Sequence, residues 1–302
     1  MRLVSFNKNG QIVAGALVGE QVMDLAAAAR LAGDGGDYAS VHAIIRGGSA
    51  AAQGIAKLLA NSGHLSAALQ PLASTALVAP IGSLLRNAIC VGRNYIEHVK
   101  EGAAVQGREA KLPEVPQFFT KASHTLNAPN GDVRLDPRVT QHFDYEVELA
   151  VIIGRSGRDI SREQAMSYVY GYTVANDFTA RDLQRRHDQW FKGKSLDTTL
   201  PLGPSIVTAD EMGDPGTLEL TLTVNGQERQ RAHVSQMIFD IPTIISSLSA
   251  SFTLDAGDVI ATGTPSGVGF AMKPPQQLKD GDLVVTRIDR IGELRNRIVA
   301  VK

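Results

Sequence analysis

Residues 146–154 read Glu-Val-Glu-Leu-Ala-Val-Ile-Ile-Gly, and this stretch restricts the fold more than any other. Its apolar second half, closed by Gly154, is rich in β-branched residues and reads as a buried strand. Side chains two apart on a strand share a face. Asp144, Glu146 and Glu148 therefore project together, while Tyr145, Val147, Leu149 and Val151 face the other way. Carboxylates at this spacing repel one another. A hard divalent cation that binds carboxylate oxygen removes the conflict; a solvated strand face is the alternative.

The rest of the chain sorts into two textures. Residues 1–75 read as a small N-terminal α/β domain. Short strands at "RLVSF", "IVAGALV" and "QVMDL" precede alanine-rich helices at "LAAAARLAG", "ASVHAIIRG" and "AAAQGIAKLLANSG", and a connector follows around "LQPLASTALVAPIGS". Residues 76–302 read as a larger domain dominated by strands, with "VNG" at 224–226 turning a hairpin. Helices are expected from Ser161, where Gln164 completes a capping-box pattern, at 179–186 and at 241–249. Many strands with few helices imply an α+β fold of curved sheets rather than a doubly wound one.

Composition narrows the function classes. A formal net charge of −1 gives no electrostatic case for nucleic acid or an anionic membrane surface. The single cysteine, Cys90, excludes an internal disulfide and a cysteine-based zinc site, and it reads as a core residue. "MRLVSFNKNG" lacks a signal-peptide core and no apolar run is long enough to span a membrane, so a cytoplasmic location is expected.

Four further motifs carry polar chemistry. In "ANDFTARDLQ", Asp177 precedes a helical run and reads either as its cap or as a third oxygen ligand; Arg181 and Gln184 lie one turn apart behind it. "WFKGKSLD" places Lys194 between Gly193 and Ser195. It is no phosphate loop, because Asp188 stands where that motif needs glycine. In "CVGRNYIEHVKEG", Glu101 is one helical turn from His98 and would orient its ring; a surface ion pair is the plain alternative. "ATGTPSGVGF" combines glycines that permit close backbone approach with the Thr264 hydroxyl, though a simple turn fits as well.

Taken in order, these motifs resemble the fumarylacetoacetate hydrolase family: G-x-N-Y-x-x-H-x-x-E, F-x-K, E-x-E, N-D-x-T-A-R-D-x-Q, G-K-S-x-D and T-G-T-P-x-G-V-G, between about residues 86 and 295. The N-terminal 70 residues resemble the small extra domain of its longer bacterial members. The resemblance implies a mixed β-roll catalytic domain in a homodimer. It implies Mg²⁺ or Mn²⁺, with Ca²⁺ able to substitute in crystals, held by Glu146, Glu148 and Asp177, and it leaves Asp144 out of the metal shell. His98 and Glu101 match the family's lid dyad and Lys194 its lysine near the metal. Arg181, Gln184 and Thr264 match substrate-contacting positions, and Lys121 a lysine at the pocket edge. Ala122 stands where the family usually has proline, and "GRNY" stands where some members carry an additional aspartate ligand.

The activity implied is metal-dependent hydrolysis of a C–C bond in an acylpyruvate or other 1,3-diketo acid, such as a fumarylpyruvate, maleylpyruvate or diketo-sugar acid, in a catabolic pathway. The alternative is an oxaloacetate-type decarboxylase or a 2-hydroxymuconate-type tautomerase or isomerase on the same metal–enolate site. The partner is a small 2-oxo or diketo acid. A non-catalytic binding module is disfavoured, since no motif position is lost. The polar stretch "EGAAVQGREAKLPEVP" reads as a lid that is open or disordered without ligand.

Overall fold

The computed structural model describes residues 1–301. The strand Val147–Ile153 lies inside a twelve-stranded mixed sheet and is buried along its whole length. Its antiparallel neighbours are Val169–Asn176 on one side and Val259–Ala261 on the other. The sheet continues through Leu200–Thr208 to Arg2–Lys8, Gln11–Val18, Gln21–Asp24 and Leu69–Pro71. In the opposite direction it runs through Ala88–Gly92 to Gln117–Lys121. Val259–Ala261 pairs in parallel with Ala88–Gly92, so the sheet is mixed, and it does not close into a barrel.

Both faces of this strand are covered, which explains its continuous apolar sequence. Leu149, Val151 and Ile153 enter a core shared with a second, five-stranded sheet that contributes Leu220, Leu222, Val284 and Leu294. The helix Ile241–Ser249 seals that core with Ile244, Ile245 and Leu248. Ala150 and Ile152 face the other way, toward Leu202, Ile206, Ile44 and Ile45. Each fully buried aliphatic side chain contributes about 1.5–3 kcal/mol, so the two layers fix the strand's register. Glu146 and Glu148 share the alternate set with Ala150 and Ile152.

The N-terminal residues form the predicted strands, and helix Leu25–Ala32 ends at Gly33 in the left-handed region. The next two predicted helices are one element, Val41–Ala60, kinked at Gly48. Arg2 and Leu3 pair with Val207 and Ile206, and the connector adds Leu77–Val78 beside the first strand. The helix after Ser161 is a single turn, Arg162–Ala165, and the Ser161 side chain does not cap it. The helix expected from 179 begins at Arg181, because Thr179 and Ala180 pair with Asp144 and Phe143 as strand. Among the described residues no helix is long and apolar enough to cross a membrane.

Candidate active site

Glu146, Glu148 and Asp177 converge at the mouth of the central strands, with a carboxylate oxygen from each within 4.8 Å of the others. All three are buried. The backbone pairing of Val147 with Asn176 brings the two chain segments together, and Asp177 N donates to Glu146 O at 2.9 Å. Asn176 secures the junction, its Oδ1 accepting from Glu146 N at 3.0 Å while its Nδ2 donates to Thr286.

Buried carboxylates require compensation. Lys194 Nζ sits 2.7 Å from both Glu146 and Asp177. Arg181 pairs with Glu146 at 2.7 Å and with Asp144 at 2.9 Å. Lys121 Nζ lies 2.8 Å from Asp177 Oδ1 without hydrogen-bond alignment, so that oxygen has no bonded partner. Burial alone would raise Glu146, but Lys194 and Arg181 outweigh it and hold the carboxyl down to about 2. Lys194 is likewise held above its ordinary value: burial opposes the charge, and Asp177 and Glu146 restore it.

Glu148 is the exception. It has no cationic side-chain partner among the described residues and accepts only Gly263 N–H, at 2.8 Å. Burial, with like charge from Asp177 and Glu146, pushes it well above the ordinary carboxylate range. A divalent ion would supply what is missing here. Three buried carboxylates form an oxygen donor set that fits such an ion, and Glu148, with no cation paired to it, is the group whose electrostatics are incomplete without it.

Glu146 and Glu148 open onto a cavity of about 980 Å³ whose wall also includes His98, Arg181, Gln184, Lys194 and Thr264, while Asp177 stays fully buried behind it. His98 and Glu101 lie on the helix Ile96–Val105, with Nδ1 of His98 2.8 Å from Glu101 Oε1. A carboxylate only accepts, so Nδ1 carries the proton and Nε2 is left basic. Glu101 Oε2 in turn accepts Gly267 N–H at 2.9 Å. The stretch read as a mobile lid thus has an anchored helical start, with residues 106–116 continuing as irregular chain to Gln117.

Lys121 differs from its expected position at the pocket edge. It is fully buried, absent from the cavity wall, and donates to Phe178 O, Lys194 O and Thr199 Oγ1. The strand Gln117–Lys121 turns this side chain inward behind Asp177, so it braces the carboxylates from the protein side. Lys194 is not a mobile surface group either. Its short helix Phe191–Lys194 packs closely on Arg181–Arg186, and a Cβ on Gly193 would sit 2.5 Å from Gln184 N and 2.8 Å from Ala180 O.

Two supporting residues escape a sequence reading. Gln230 is buried in a segment that looks uniformly polar. Its Oε1 accepts Val147 N at 3.0 Å, and its Nε2 donates to Thr264 Oγ1 and Pro265 O, each at 2.8 Å. Asp144 lies on the separate short strand Phe143–Asp144, accepts Gly269 N and Phe270 N and pairs with Arg181, tying the glycine-rich loop to the site. Within "GRNY", Asn94 is buried and ties separate segments together, its Nδ2 donating to Phe239 O and Thr262 O and its Oδ1 accepting Phe239 N.

Fold and site together define an α+β protein with a buried carboxylate triad able to hold a divalent cation. The family model "Fumarylacetoacetate (FAA) hydrolase C-terminal" matches residues 87–299. The chain belongs to the fumarylacetoacetate hydrolase family. It is 48% identical over 235 residues to oxaloacetate tautomerase YisK of Bacillus subtilis, covering 78% of this chain and 77% of that protein. It is 42% identical over 213 residues to the human mitochondrial oxaloacetate tautomerase FAHD2A, covering 70% and 66%. Among solved structures, a fumarylacetoacetate hydrolase of Exiguobacterium antarcticum superposes over 100% of both chains with a TM-score of 0.81 at 37% identity.

Proposed function

We propose that this protein is a divalent-metal-dependent tautomerase that interconverts keto and enol forms of a 2-oxo dicarboxylic acid of the oxaloacetate type. The observation that carries this reading is one oriented proton carrier, His98, sharing a cavity with the buried carboxylate cluster. The resemblance to oxaloacetate tautomerases supports it and moves the preferred activity from C–C hydrolysis to proton transfer.

Tautomerisation moves one proton from C3 of the keto acid to the oxygen on C2, with no bond to water made or broken. His98 Nε2 takes the C3 proton, and the C–H electron pair becomes the C2–C3 double bond. The carbonyl pair moves to oxygen, to which His98 returns that same proton, and the reverse path uses the same groups. Glu101 holds the ring and stabilises its charge while it carries the proton. Bound Mg²⁺ or Mn²⁺, held by Glu146, Glu148 and Asp177, would supply Lewis-acid stabilisation of negative charge on the 2-oxo oxygen. Lys194 and Arg181 keep Glu146 ionised for that task. Gln184 and Thr264 offer hydrogen bonds from the cavity wall.

A second reading, hydrolysis of an acylpyruvate, is favoured by the resemblance to a solved hydrolase and by the same dyad, which would then deprotonate water. The pure protein with Mg²⁺ separates the two. Faster decay of enol-oxaloacetate absorbance, with acetylpyruvate and fumarylpyruvate left intact, is the expected result. Cleavage of either diketo acid without acceleration of the enol–keto exchange would replace the first reading by the second. We further take the protein to act as a homodimer.

A further inference from the structure

Six cationic side chains line the cavity, and two of them, Arg181 and Lys194, are committed to buried carboxylates. The other four, Arg93, Arg108, Lys111 and Arg185, pair with no carboxylate among the described residues. Glu109 and Glu114 are the acidic groups of that outer wall, so cations exceed carboxylates there by four to two. An excess of one sign in a cleft with low-dielectric walls concentrates the opposite charge.

Arg93 and Arg108 stand apart from the other two. Arg185 already lies over the Phe270 ring, 4.8 Å from its centroid, and Lys111 lies three residues beyond Arg108 on the same exposed segment, further from the helix end. Arg93 is half-buried between the inner strand Ala88–Gly92 and the helix Ile96–Val105, and Arg108 follows the end of that helix. Arg93 adopts φ 55°, a left-handed conformation uncommon for a residue other than glycine. Burial, and then the positive charge of Arg108, weaken its hold on its proton.

We propose that Arg93 and Arg108 form the subsite for the second carboxylate of the substrate, making the enzyme selective for 2-oxo acids that carry a distal carboxylate. This rests on the tautomerase reading of the cavity. The 2-oxo acid end of the substrate lies at the Glu146–Glu148–Asp177 cluster, and the far carboxylate reaches the two guanidinium groups, which suit it through paired N–H donors. Because Arg108 belongs to the chain leaving the lid helix, a distal carboxylate also links that chain to the rigid strand end. A monoacid of the same length leaves both cations unpaired.

The test compares oxaloacetate with its 4-methyl ester, which lacks only the distal charge, in the intact protein with Mg²⁺. The wild-type protein is expected to prefer the diacid in kcat/KM. R93Q and R108Q should each lower that preference about tenfold to hundredfold, mainly through KM, with R93K retaining part of it. Binding is read separately by calorimetry with 3,3-difluoro-oxaloacetate, which has no C3 proton to lose, and with oxalate, which tests the metal end alone. Weaker binding of the difluoro diacid with oxalate affinity retained supports the subsite. An unchanged diacid-to-ester preference, or parallel loss of oxalate binding, overturns it. If the wild-type protein turns over neither substrate yet binding of the difluoro diacid depends on Arg93, the tautomerase reading fails while the subsite stands.

Discussion

Glu148 shows how a single side chain reports on what a site is for. It is buried against two other carboxylates with one backbone N–H as its partner, and its proton is retained well above the ordinary carboxylate range. Over that range the folded, metal-free protein binds more protons than the unfolded chain. Its contribution to stability is therefore lost as pH rises through the folded value. A divalent ion must displace the same proton, so Mg²⁺ should bind more tightly, and raise Tm more, with increasing pH. Thermal unfolding with and without Mg²⁺ from pH 5 upward checks this; a Tm increment that is flat with pH would contradict it. E148A should abolish the calorimetric Mg²⁺ titration. At His98 the expectation is the opposite: H98A should bind Mg²⁺ as before and lose about 10²–10⁴-fold in kcat. Near-normal enol–keto exchange by H98A would remove His98 from the role of proton carrier.

At the scale of elements, the site is a meeting of strand ends and two short helices. The alternation that puts Glu146 and Glu148 on one face was legible from the sequence, because a strand's period of two needs no tertiary information. The helix expected over 179–186 was legible too, apart from Thr179 and Ala180, which a partner strand at Phe143–Asp144 claims as sheet. The close contact between that helix and Phe191–Lys194 was not. It depends on Gly193, whose missing side chain lets Lys194 reach Glu146 and Asp177. G193A should cost about 1–3 kcal/mol in urea unfolding, since the neighbouring atoms are backbone and cannot turn aside. It should also weaken Mg²⁺ binding by shifting Lys194. Wild-type stability together with wild-type Mg²⁺ affinity would mean that this packing does not position the lysine.

Across the whole molecule, the N-terminal residues cover one face of the central sheet. Leu3, Ile44 and Ile45 pack in the same core as Ala150, Ile152, Leu202 and Ile206, and Arg2–Lys8 continues the sheet beyond Leu200–Thr208. A fragment of residues 76–302 would expose that face and a free strand edge, so it should aggregate or bind a hydrophobic dye where the full chain does not. A soluble fragment with a cooperative transition would instead favour two independently folding domains. Sedimentation velocity tests the proposed homodimer: twice the 32.2 kDa chain mass is expected, and a species of single mass would refute it.

The sequence by itself determined the local facts: a buried strand, carboxylates in phase upon it, a histidine and glutamate one helical turn apart, and a motif order that names the family. Each follows from spacing along one segment. Tertiary structure decided which charges meet. Lys121 went behind Asp177 instead of to the pocket edge, Asp144 went to Arg181 and the glycine-rich loop, and Gln230 came from a distant strand to hold Val147 and Thr264. The reason is electrostatic. A buried charge is tolerable only beside a partner, and partners separated by 34 to 125 residues are chosen by how sheets stack, which no local pattern encodes.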